Sequence, residues 1–114
     1  MNSIRNQVQL IGHLGKDAEL IKFENGSNKV NVTIATSESY KNKKGEKVEE
    51  TQWHNLIAWG KTAEIMGMYF KKGKQVAVSG KLCHRTYQDK EGKDRNVSEI
   101  QVNEFTFLDK KAVN

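Results

Sequence analysis

Apolar and polar residues alternate along nearly the whole chain, and the alternation breaks once, at TAEIMGMYF over residues 62–70. A period of two sends successive side chains to opposite faces of a strand, whereas a period near 3.6 gathers them on one face of a helix. The pattern therefore predicts a mainly β protein with a single helix. The first run goes from Ile4 to Leu14, with Ile4, Val8, Leu10 and Leu14 on one face. Gly12 and Gly15 mark the bend or bulge that a curled sheet needs. A short strand over residues 18–23 leads to Asn25-Gly26, a hairpin turn signal. Strands follow over residues 29–38, with Val30, Val32 and Ile34 inward, and over 49–59; the charged loop KNKKGEK (41–47) joins them. In the break, Ala63, Met66, Tyr69 and Phe70 share a helical face, Thr62 is placed to cap its start, and Lys71-Lys72-Gly73 ends it. Two further alternating runs, 75–88 and 96–108, turn about Glu91-Gly92.

The order strand, strand, strand, helix, strand, strand is that of an all-β, five-stranded OB-fold barrel with one short helix between strands 3 and 4. A length of 114 residues fits one such domain. We assign it to residues 1–109, with 110–114 as a short C-terminal extension. The mean hydropathy of −0.76 is low for a self-sufficient globule, so part of the core is expected to close by oligomerisation. No apolar run reaches the length of a membrane span, and the N-terminus MNSIRNQVQL has no signal-peptide apolar region. Cys83 is the only cysteine, so no intrachain disulfide can form. A reducing, cytoplasmic setting is expected.

The net charge of +5 is concentrated. Residues 61–95 hold nine basic groups against four acids, and the rest of the chain balances at ten against ten. Both tryptophans stand in TQWHNLIAWGK (51–61). Alternation puts Trp53, Asn55, Ile57 and Trp59 on one face and the core-sized His54, Leu56 and Ala58 on the other. On the strand at 75–88, Val76, Val78 and Leu82 share one face. Ala77, Ser79, Lys81, Cys83, Arg85 and Tyr87 share the other. Flat rings beside cations suit an unpaired nucleic-acid strand: bases stack on the rings and phosphates meet the cations. A duplex hides its base faces, so this chemistry favours single strands.

Plainer readings compete. A tryptophan in a strand is more often buried than bound to a ligand, and a lysine-rich loop is usually only solvated. Tyr69, Phe70, Phe105 and Phe107 read as core or interface. His13, His54 and His84 have no partner at metal-ligand spacing, so no metal or other cofactor is expected, and His54 reads as a structural hydrogen-bonding group. Cys83 lacks the surroundings of a nucleophile.

Five stretches weigh against the plain reading: NQVQLIGHLGKDAEL near the start, VTIATSESY (32–40), TQWHNLIAWGKTAE (51–64), YFKKGKQVAVSGKL (69–82) and DRNVSEIQVNE near the end. In this order and spacing they make the chain resemble the bacterial single-stranded DNA-binding protein family over nearly its whole length. The resemblance implies an OB-fold homotetramer with single-stranded DNA wrapped around it. It also implies stacking of bases on Tyr40, Trp53, Trp59 and Tyr87, basic contacts from Lys61, Lys72 and Arg85, and His54 at a subunit interface. Lys43 in the charged loop and Lys81 complete the expected contact set. There are departures. Tyr40 and Tyr87 stand where well-known members carry tryptophan, which implies smaller stacking areas. Cys83 and Thr86 stand where basic residues occur, Asn96 replaces an aromatic and Ala18 a proline. Family members continue into a Gly-, Pro- or Gln-rich linker and an acidic tail that recruits repair and replication proteins. This chain stops at Lys110-Lys111-Ala112-Val113-Asn114, so those partners are expected to be missing, whether the chain was cut or is naturally short.

The expected function is sequence-independent binding of single-stranded DNA during replication, recombination and repair, at the nucleoid and without catalysis. The alternative is a tailless primosome assembly protein that bridges DNA and replication proteins. A nuclease is the weakest reading, because the acids are scattered and form no metal-binding cluster.

Overall fold

The structure, a computed structural model, describes residues 4–108. The proposed extension at 110–114, like the domain's last residue at 109, lies outside them. The strands are β1 (Val8–Leu14), β2 (Glu19–Lys22), β3 (Asn28–Lys41), β4 (Lys47–Trp59), β5 (Gln75–Gln88) and β6 (Asp94–Phe107). The helix α1 (Gly60–Tyr69) lies between β4 and β5. The sheet runs β1-β5-β6-β4-β3-β2, and an added β1–β3 pairing through His13↔Ala35 and Leu14↔Ile34 closes it into a barrel. Every pairing is antiparallel except β4–β6, which meet in parallel at Leu56↔Ile100 and its neighbours. The closed barrel uses the five long strands. The helix follows the fourth strand rather than the third because Glu19–Lys22 forms a separate short strand on β3.

The inward residues follow from the alternation. Val30, Val32 and Ile34 of β3, Leu56 and Ala58 of β4, Val76 and Val78 of β5, and Ile100 and Val102 of β6 are buried together. Ala63, Met66 and Phe70 plug this core from the helix side, and Phe70 meets Phe105 edge-on at 4.9 Å between centroids. Only the barrel halves of the long strands are buried. The far halves of β3, β4 and β5 are almost wholly exposed, so two paired hairpins stand out as arms.

Several expectations are corrected. Ile4 lies in a short 3-10 turn (Ile4–Asn6) ahead of β1 and is exposed, because the strand begins only at Val8. Thr62 does not cap the helix. The chain is already helical from Gly60, and the cap position falls on Trp59, whose extended backbone precedes the first turn without a side-chain hydrogen bond. Tyr69 is exposed, since the helix ends there and only the next residue, Phe70, turns inward. Leu82 is also exposed: β1 pairs with β5 only as far as Gly80, and Leu82 lies past that end.

The arms end in loops of matching construction. Asn42 Oδ1 accepts the backbone N–H groups of Lys44 and Glu46 at 2.9 and 3.0 Å. Asp89 Oδ1 accepts those of Glu91 and Lys93 at 2.9 and 3.0 Å. A side-chain acceptor at the loop start thus replaces a missing backbone partner. The shared spacing, Asn or Asp three residues before the turn glycine, is visible in NKKGE and DKEGK.

Candidate nucleic-acid interface

Trp53 and Trp59 lie on one face of β4, 62% and 45% exposed, while Leu56 and Ala58 opposite them are buried. Six residues of strand separate the two rings by roughly 20 Å. At that exposure neither indole fills the barrel, and the reading of these tryptophans as core is set aside. Ile57, expected on the same open face, is buried at the floor of a cleft.

That cleft, about 390 Å³, brings together Lys16, Asn31, Thr33, Asn55, Arg85, Tyr87, Val97 and Glu99 from five segments of chain. Trp53 borders it through Gly15, the residue before Lys16. A Cβ on Gly15 would collide with the Trp53 ring and crowd the Thr33 hydroxyl. Glycine there leaves room for the six-membered ring of the indole to come close to the backbone.

Trp59 has its own surroundings. Phe23, in the β2–β3 turn, stacks on it with ring centroids 6.3 Å apart and planes 22° apart. Lys29, its register partner on β3, sets its ammonium 5.3 Å from the Trp59 ring. Sequence reasoning missed Phe23 and Lys29. The available signal was the Asn25-Gly26 turn, which folds both back toward β4.

Tyr87 is exposed on the arm of β5, and the Arg85 guanidinium lies 5.5 Å from its ring centroid. Arg85 is not an unpaired cation: its Nε and Nη2 donate to the two oxygens of the buried Glu99, at 2.9 and 3.3 Å. The Glu99 hydrogen bonds hold the guanidinium above its usual basicity, against a smaller loss from burial. Tyr40 is exposed, but the β3–β4 register pairs it with Val48, on the opposite face of the ladder from Trp53. Its hydroxyl donates to Glu50 at 3.3 Å. The structure therefore does not gather Tyr40 with Trp53.

The lysines differ from Arg85. Lys43 at an arm tip, Lys61 beside Trp59, Lys72 after the helix and Lys81 on β5 are exposed and form no ion pair among the described residues. His54 is half-buried, and its Nε2 stands 3.0 Å from the Thr36 hydroxyl, the structural hydrogen bond expected of it. It faces a small cavity with Leu10, Glu38, Glu50 and Gln52. Cys83 is half-buried.

The Single-strand binding protein family matches residues 5–108. The chain belongs to this family. Among its relatives, Single-stranded DNA-binding protein 1 of Chlorobaculum tepidum is 43% identical over 93% of this chain and 66% of its own length. Single-stranded DNA-binding protein 1 of Xylella fastidiosa is 42% identical over 96% of this chain and 81% of its own. The Neisseria meningitidis single-stranded DNA-binding protein is 43% identical over 90% of this chain, which spans only 59% of that relative. Among solved structures, the Plasmodium falciparum SSB complex with ssDNA superposes with a TM-score of 0.82 at 24% identity, covering 96% of this chain and 98% of that one. A deletion mutant of the Thermus aquaticus single-stranded DNA binding protein gives 0.79 at 23% identity, covering 91% of this chain and 50% of that one. At that identity the superpositions establish the fold: an OB barrel of the SSB kind.

Proposed function

We propose that this chain binds single-stranded DNA without sequence preference and shields it during replication, recombination and repair. The observation that carries this reading is the pair of exposed tryptophans on one face of β4, each beside a cation or a polar cleft. Bases stack on Trp53, Trp59 and Tyr87, with Tyr40 engaging the strand from the other side of its arm. Lys43, Lys61, Lys72 and Lys81 meet phosphates, and Arg85 touches the strand beside Tyr87. Binding of this kind requires no bond to be made or broken, and the relatives are named for binding rather than for a reaction.

The same reading includes a homotetramer. The β1 edge over residues 8–12 has no strand on its outer side among the described residues, and Ile11 on it is 59% exposed. Such an edge is a template for a second copy. His54 then sits at a subunit contact. A cytoplasmic location at the nucleoid accompanies the function, and no helix among the described residues is long and apolar enough to cross a membrane.

Fluorescence titration tests the reading. Oligo(dT) added to the protein should quench the tryptophan emission strongly, and NaCl should restore it as cations return to the phosphates. Absence of both quenching and binding would refute it.

A further inference from the structure

A buried carboxylate is an unexpected neighbour for a strand of phosphates. Glu99 is 6% exposed, yet it lines the cleft that carries Asn55 and Tyr87. It lies diagonally across the β5–β6 ladder from Arg85, whose direct partner is Val97. Both of its oxygens accept from the Arg85 fork, at 2.9 and 3.3 Å. Two bonds to one fork fix the plane of the guanidinium as well as its position. Its Cζ stands over the Tyr87 ring, 5.5 Å from the centroid. The pair as a whole carries no net charge. Stability alone gives little reason for it, since burying the carboxylate costs solvation and an attraction to a half-exposed guanidinium is screened by solvent.

We infer that Glu99 is a positioning residue: it holds Arg85 beside Tyr87, so that the two present a flat stacking surface to a base instead of a charge to a phosphate. The inference rests on the single-strand-binding reading above. Guanidinium planes stack on bases as aromatic rings do. An untethered arginine swings on its long stem and follows the nearest phosphate. Tied at Nε and Nη2, it keeps one face toward the cleft. The cleft then receives a base, while the strand's phosphates run past the lysines that form no ion pair among the described residues.

The salt dependence of oligo(dT) binding tests this, measured for the wild type, Glu99→Gln and Arg85→Met. Glu99→Gln should free Arg85 to meet a phosphate and steepen the slope of log K against log[NaCl] by about 0.7. Arg85→Met should weaken binding roughly tenfold, as loss of a stacking surface does, and leave the slope unchanged. A residue with a purely structural role would move affinity without moving the slope in Glu99→Gln, so an unchanged slope there overturns the inference. A slope shallower by about 0.7 in Arg85→Met also overturns it, since Arg85 would then be a phosphate ligand. Arg85→Met leaves the buried Glu99 carboxylate without this partner, so the double variant Glu99→Gln/Arg85→Met, which removes both charges, decides the matter by the same slope criterion where either single variant fails to fold. A wild type that does not bind oligo(dT) would remove the single-strand reading itself. A wild type that binds with either overturning slope removes only this role of Glu99.

Discussion

Trp53 shows how one residue depends on another far from it in kind. Its ring lies where a Cβ on Gly15 would be, so the smallest side chain in the protein sets the pose of the largest. Trp53→Ala should weaken oligo(dT) binding by about 1–3 kcal/mol, the worth of a stacked base, and leave the melting temperature within a few degrees, as for an exposed site. Anisotropy of a labelled oligonucleotide and a thermal melt check both halves; a large drop in melting temperature would make the ring structural. Gly15→Ala should reproduce part of the binding loss with Trp53 still present, because the methyl group pushes the ring off its seat. Unchanged affinity in Gly15→Ala would mean the ring's seat does not matter. Alternation alone placed Trp53 and Trp59 on one face. It could not reveal Gly15, Phe23 or Lys29 as their neighbours, because those contacts depend on cross-strand register, which no local period encodes.

The two arms differ in one respect at the level of elements. Their tips have the same hydrogen-bonding plan, but one is built on Asn42 and the other on Asp89. Asp89 also accepts from Arg95 Nε at 2.9 Å. That bond, then the Lys93 N–H, draws its carboxyl below the usual aspartate range. A carboxyl lowered in the folded state stabilises the hairpin above its unfolded pKa. That contribution is lost as pH falls through the ordinary aspartate range toward the lower folded value. The amide protection factors of Glu91 and Lys93 should therefore decline on acidification, while those of Lys44 and Glu46 on the Asn42 loop change little. Asp89→Asn should abolish the difference, and equal pH profiles at both tips in the wild type would refute the assignment. The turns themselves were legible as Asn25-Gly26, the KNKKGEK loop and Glu91-Gly92. The helix start was not, because Thr62 looks like a cap in isolation while the strand in fact feeds straight into the helix at Gly60.

For the whole molecule, a low apolar content and an open β1 edge point the same way. Ile11→Lys should reduce the assembly to smaller species in sedimentation equilibrium without unfolding the barrel, whose core does not include Ile11. A wild type that is already monomeric would reject the tetramer. The barrel was readable from strand order and the single change of period. Its closure was not, since β1, still paired with β5 at His13, must also meet β3 along its other edge at His13 and Leu14, a long-range pairing. The projecting arms have a consequence for transport. The Cα radius of gyration is 16.4 Å, against about 13 Å for a compact chain of this length. Drag and encounter both follow the outline of a body rather than its mass. The single chain therefore diffuses like a larger sphere, and it sweeps a wider capture volume than a bare barrel would.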